Sequence, residues 1–182
     1  MKRLFIIIDM QNDFVTGSLK NEEAKKIVPN MVKFLDDLDK NTNLIFTRDT
    51  HYENYLDTNE GKHLPIKHCI INTNGHEIID ELKKFTSNSL VIDKLSFGLT
   101  SDKWNDYLKE YQFDEIYIMG VCTDICVISN ALALKALYKE LPIYVISDLC
   151  AGVTINTHNE ALDVMKMCQV DIISSNEYNE KI

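Results

Sequence analysis

Proline and glycine are scarce in this chain, three and six among 182 residues, and no repeat, linker or low-complexity segment interrupts it. What remains is an ordinary compact globular chain, long enough to bury a sizeable core and expected to form one domain over residues 1–182. Long hydrophobic runs are missing as well. The opening Met1-Lys-Arg-Leu-Phe-Ile-Ile-Ile-Asp9 starts basic and turns apolar, but Asp9 ends the run far short of a signal-peptide core or a membrane span. A cytoplasmic location is therefore expected. No basic cluster exceeds Lys25-Lys26 or Lys83-Lys84, and the net charge is -9, which argues against nucleic acid or an anionic membrane as a partner. The five cysteines (69, 122, 126, 150 and 168) are odd in number and scattered, so they do not suggest a disulfide framework. Cys122 and Cys126 stand four apart, but without a CxxC pattern or a second cluster they give no sign of a metal or redox pair.

What is present is an alternation of β-branched runs and helical periods. The expected strands are Arg3–Ile8, Asn43–Thr47, Leu90–Ile92, Glu115–Met119, Pro142–Ile146 and Val170–Ile173. Helices are expected over Asn21–Leu38, Glu77–Phe85, Ser101–Tyr111, Thr123–Lys139 and Asn156–Cys168. Such alternation implies a doubly wound α/β/α domain with a six-stranded, mostly parallel sheet. Ligands bind at the carboxyl ends of strands in sheets of this kind. Asp9, Asp49, Lys94 and Cys126 each follow such an end, so four separate places in the chain converge on one edge.

Cys126 is the organising residue. Gly120 allows a sharp turn after the fourth strand, and Val127, Ala131 and Leu134 recur at helical spacing, which puts Cys126 in the first turn of a helix. The positive end of the helix dipole there favours a thiolate, and the backbone NH groups of Cys122 and Cys126 would be free to face an oxyanion. Asp9 would shuttle the proton, and Lys94 would hold two like charges together. Each residue also has a plain reading: a buried small apolar cysteine, a loop-bonding carboxylate, a solvated lysine. The connection from Thr50 to Gly75, too long for a simple βα turn, adds a second set. Asp49-Thr-His51 can present an oxygen and a nitrogen to one ion, with Glu60, His63 and His68 available from the loop. Without an ion, the same residues would be an ordinary polar surface loop.

Four ordered motifs carry a resemblance: Ile7-Ile-Asp9-Met-Gln-Asn-Asp-Phe14, Thr47-Arg-Asp49-Thr-His51, Lys94-Leu-Ser-Phe97-Gly and Gly120-Val-Cys-Thr-Asp-Ile-Cys126-Val. In order and spacing they resemble the cysteine hydrolases of the isochorismatase-like superfamily, most closely its nicotinamidase/pyrazinamidase branch, over nearly the whole chain. The resemblance implies a catalytic triad of Asp9, Lys94 and Cys126, and a non-proline cis peptide at Val121-Cys122 that helps aim the oxyanion-hole NH groups. It implies a divalent ion, of zinc type or else Mn or Fe, on Asp49, His51 and His68, with Glu60 as the remaining ligand and His63 as the rival. It further implies a flat pocket lined by Phe14, Leu19 and Phe97, no organic cofactor, a small-molecule amide substrate, and a homo-oligomer. Cys122 stands where the family usually has alanine or another small residue, so its side chain is expected to be a bystander.

The expected activity is conversion of nicotinamide to nicotinate and ammonia through a thioester, with a role in NAD salvage. A sibling hydrolase acting on a ureido or carbamoyl compound would keep the triad but need no metal. Vinyl-ether cleavage fits less well, because members with that chemistry often lack the cysteine. A non-catalytic metal- or ligand-binding module on the same scaffold is the alternative from a different class.

Overall fold

The computed structural model describes residues 1–181. Six strands, β1 (Arg3–Ile8), β2 (Asn43–Asp49), β3 (Leu90–Lys94), β4 (Glu115–Val121), β5 (Ile143–Ala151) and β6 (Asp171–Ile173), form one sheet in the order β3-β2-β1-β4-β5-β6. All five pairings are parallel. The first strand is central, and Leu4 to Ile8 have no exposed surface, as a strand covered by helices on both faces requires. Order reverses between β1 and β4, so the crevice expected of a doubly wound sheet opens beyond the ends of those two strands.

The helices are α1 (Asn12–Val15), α2 (Glu22–Asp36), α3 (Asn59–His63), α4 (Asp80–Lys83), α5 (Ser101–Leu108), α6 (Ile128–Leu137), α7 (Ile155–Met167) and α8 (Ser175–Lys181). Asn21 starts α2 by accepting from the backbone NH groups of Glu23 and Ala24, and a reciprocal Thr154–Thr157 pair starts α7. No helix among the described residues is long and apolar enough to cross a membrane.

Several boundaries depart from the expected ones. The second and third strands each run two residues further, so Asp49 and Lys94 are the last residues of β2 and β3 and pair with each other. The fifth strand extends to Ala151 behind a register irregularity between Ile118 and Gly120. The helix expected over Glu77–Phe85 is only one turn, and the one expected over Ser101–Tyr111 stops at Leu108. The helix expected from Thr123 to Lys139 opens with a wide π-type turn over Thr123–Val127, and the regular α6 ends at Leu137. α8 was not foreseen; its Tyr178 ring is buried edge-on against Phe5, Phe34 and Tyr117.

Candidate active site and metal centre

Asp9 follows β1 with φ of 50°, which turns the chain out of the sheet at the switch point. Its carboxyl has no exposed surface. Oδ1 accepts a 2.6 Å bond from Thr47 Oγ1, and Oδ2 lies 2.6 Å from Lys94 Nζ. Lys94 reaches this point because β2 lies between β1 and β3 and its own strand ends beside Asp49. Its Nζ also approaches Asp49 Oδ1 at 3.3 Å, Cys126 Sγ at 3.6 Å and Ser96 O at 3.2 Å. One buried ammonium thus touches two carboxylates and the thiol. Thr47 is a member of this group that the residue patterns did not single out; it stands two positions before Asp49 on the same side of β2.

The electrostatics follow from burial. Loss of solvation alone would push the Lys94 ammonium towards neutrality, but Asp9, Cys126 and Asp49 together hold it charged well above the usual lysine range. Burial lifts the Asp9 carboxyl above its ordinary value, with Lys94 pulling the other way. The Cys126 thiol is raised as well, by burial first, and Lys94 opposes that. Burial thus raises both the Cys126 thiol and the Asp9 carboxyl, and the Lys94 ammonium that touches each of them opposes both shifts.

The Val121–Cys122 peptide bond is cis, as the resemblance implied. The Cys122 carbonyl accepts from the NH groups of Ile125 and Val127, which folds the wide turn back around Cys126. Phe14, Leu19 and Phe97 line one cavity of about 540 Å³ together with Cys126, Asp49, Glu60 and His68. Cys122 is also among the residues that line this cavity. Leu64, Ile125 and Val153 complete the apolar lining, and no pattern in the sequence marked them.

Asp49, His51, Glu60 and His68 bring one ligand atom each to a cluster in which these atoms all lie within 4.8 Å of one another. His63, the rival to Glu60, is exposed, its Nδ1 meets Asn59 O at 2.8 Å, and it does not belong to the cluster. The donors suit a divalent cation of borderline softness: two imidazoles and two carboxylates. His68 Nδ1 meets the Ile66 carbonyl at 2.8 Å, and a carbonyl only accepts, so Nδ1 carries the hydrogen and Nε2 offers its lone pair to the cluster. His51 Nε2 is buried without a hydrogen bond, 2.9 Å from Asp49 Oδ2 and 3.5 Å from Glu60 Oε1. Burial would depress this imidazole, yet the Asp49 and Glu60 carboxylates lift it to about 9, so the position favours positive charge. Asp49 is held well below the carboxylate range; burial opposes this, and Lys94, His51 and His68 overcome it. Rings of Tyr55 (4.6 Å from His51, 5.0 Å from His68) and Phe14 (5.7 Å from His68) wedge both imidazoles in place. The residues present fit a metal ion.

Residues 3–177 match the family model described as the isochorismatase domain. The chain is 27% identical to a nicotinamidase of Saccharomyces cerevisiae, over 76% of this chain and 84% of that one. It is 25% identical to a nicotinamidase/pyrazinamidase of Mycobacterium tuberculosis, over 95% and 99%. Among solved structures it is similar to a pyrazinamidase of Pyrococcus horikoshii in complex with zinc, at a TM-score of 0.81 and 27% identity over 96% of this chain and 99% of that one.

Proposed function

The chain belongs to the isochorismatase family, and from that premise we propose that it is a cysteine amidohydrolase converting nicotinamide to nicotinate and ammonia. The observation that carries this reading is the reach of Lys94, whose Nζ meets Asp9 at 2.6 Å and Cys126 at 3.6 Å, while Cys126 lines a cavity together with Asp49, Glu60 and His68 of the Asp49-His51-Glu60-His68 cluster. A sibling amidase would need the first group but not the second. The identities to nicotinamidases from yeast and Mycobacterium support the same choice.

In this mechanism the amide lies flat in the cavity between Phe14 and Phe97, with its carbonyl carbon over Cys126 Sγ. Asp9 takes the thiol proton as sulfur attacks, and the Lys94 ammonium faces the negative charge as it moves from the Asp9 carboxylate to sulfur. The backbone NH groups of Cys122 and Cys126 receive the oxyanion. Asp9 then gives the proton to the departing nitrogen, the C–N bond breaks, and ammonia leaves a thioester on Cys126. Water enters and Asp9 takes a proton from it as its oxygen attacks the thioester; collapse of the second tetrahedral species breaks the C–S bond, Asp9 returns that proton to sulfur, and the acid leaves as nicotinate, its own proton passing to solvent. A divalent ion of zinc type, held by Asp49, His51, Glu60 and His68, would supply a Lewis-acid site for the pyridine nitrogen. In this reading the enzyme serves NAD salvage in the cytoplasm and uses no organic cofactor.

The test is a comparison of nicotinamide with benzamide, which keeps the ring and the amide but lacks the ring nitrogen. Metal-loaded protein should favour nicotinamide by at least about 100-fold in kcat/KM, since a site built to bind a polar atom rejects the analogue lacking it. His51→Ala should lose metal affinity by more than the about 10–100-fold that an outer-shell change costs, and should lose most of that preference. Equal turnover of the two amides by wild type, or full metal occupancy in His51→Ala, would overturn the assignment of the cluster.

A further inference from the structure

The residues that close the end of β2 come from the loop leaving Asp9. β1 and β2 pair in register up to Ile7 and Phe46, and the Asp9 NH still reaches Thr47 O at 3.2 Å. Beyond that point β1 has turned away, while β2 continues through Asp49. On a parallel strand the residues two apart face the same neighbour, so both backbone groups of Asp49 would be left without a partner on that side. The side chain of Gln11 takes the missing strand's place. Its Oε1 accepts from Asp49 NH at 2.7 Å, and its Nε2 donates to Asp49 O at 2.9 Å and to His76 O at 2.9 Å. Gln11 has no exposed surface, and all three contacts are to backbone groups, with both amide hydrogens used.

Asp13, two residues on, does the same for the other ligand segment. Its Oδ2 accepts from Cys69 NH at 2.8 Å, directly after His68, and its Oδ1 accepts from Ser18 NH at 3.1 Å. Cys69 adopts φ of 46°, and its carbonyl accepts from His51 NH at 2.9 Å. One carboxylate therefore fixes the peptide that carries His68 and, through it, the backbone of His51. Room for it is kept by glycines: a Cβ on Gly75 would stand 2.0 Å from Asp13 Oδ2, and one on Gly17 would stand 2.3 Å from Oδ1.

We infer that Gln11 and Asp13 are positioning residues for the metal centre, locking the backbones of Asp49, His51 and His68 into one donor geometry from the segment that follows Asp9 into α1. Neither side chain belongs to the ligand cluster. The inference rests on the proposed metal centre, and the test separates the two. Zinc affinity is measured by competition with a chromophoric chelator for wild type, Gln11→Ala, Asp13→Ala and Asp13→Asn, each with the melting temperature of its metal-free form. Asn12→Ala serves as the control, since that side chain bonds Asn74 O in the same region and touches no ligand segment.

Gln11→Ala and Asp13→Ala are expected to weaken zinc binding by about 10–100-fold, and Asp13→Asn by less, because its amide oxygen still accepts from Cys69 NH. Asn12→Ala should stay within about twofold of wild type. A fall in melting temperature with zinc affinity unchanged would make the two residues merely structural and overturn the inference. Should the alanine variants not fold, Asp13→Asn decides alone: affinity equal to wild type contradicts the inference, and a weakened site with a folded apo form supports it. A wild-type protein that binds no zinc would instead sink the metal centre itself.

Discussion

Cys126→Ala is expected to lower kcat for amide hydrolysis on the order of 10⁵-fold while leaving the protein folded, since a residue acting as the nucleophile of a catalytic group carries nearly the whole effect of that group. The substitution removes one sulfur from a nearly buried position at the head of a turn, and its cost in stability is about 1 kcal/mol from lost burial. The bonds from Ile125 and Val127 to the Cys122 carbonyl involve backbone alone, so the turn keeps its shape. Substrate affinity should change little, because Phe14, Phe97 and the donor cluster remain. Steady-state kinetics and a melting curve check both halves. A variant that keeps more than a tenth of wild-type kcat would remove Cys126 from the role of nucleophile.

Lys94→Met should be the most destabilising single change in the site. It preserves length and apolar volume but deletes the cation that faces Asp9, Asp49 and Cys126, none of them more than slightly exposed. Removing one partner of a buried ion pair costs about 3–5 kcal/mol because the other charge stays buried and unpaired. The sign of the pH dependence follows from the directions of the shifts. Lys94 is raised, so its contribution is complete below the unfolded-state value of about 10.4 and present in full at neutral pH. Asp49 is lowered, so its share is present above about 3.9 and fades as pH falls through its folded value. Asp9 is already raised, and without the cation it takes a proton at still higher pH, which relieves the unpaired charge. The stability gap between wild type and Lys94→Met should therefore be widest near about pH 7–8 and narrow towards about pH 4.

The same variant should alkylate more slowly with iodoacetamide near neutral pH, because Lys94 is the group that opposes the burial of the Cys126 thiol. Cys168, exposed and remote in sequence, serves as the internal reference for the reagent. An unchanged alkylation rate together with a stability loss below about 1 kcal/mol would remove Lys94 from the centre of the account.

Much of the sheet edge was legible because each residue of interest follows an apolar run that reads as a buried strand. Asp9 after Leu4–Ile8 is the clearest case: a carboxylate cannot end such a run without a partner. The strand ends themselves were misjudged by two residues at Asp49 and Lys94 for a physical reason. Arg48 and Asp93 are charged and so read as loop, yet they sit opposite each other in the ladder and form an ion pair at 2.7 Å, which makes a polar pair tolerable at the strand ends. Glu60 and His63 could not be separated by spacing, since α3 has five residues and no periodic pattern of its own. What separates them is that Thr58 caps the helix and His63 bonds back to Asn59 O.

The first turn after Cys122 also escaped the sequence, because a π-type turn keeps apolar residues near helical spacing while widening the backbone. Among the described side chains of α8 Tyr178 alone is buried, which leaves no period to read; the Ser174–Glu177 capping box at its start was the available signal. Gln11 and Asp13 lie inside the Ile7–Phe14 motif, but their work is on backbone groups remote in sequence, which only the folded chain brings near.

The most direct measurement is release of ammonia and nicotinate from nicotinamide by the purified, zinc-loaded protein. The account predicts both products in equal amounts at a rate proportional to enzyme. No ammonia from nicotinamide, with ready release from a ureido or carbamoyl compound by the same preparation, would contradict it.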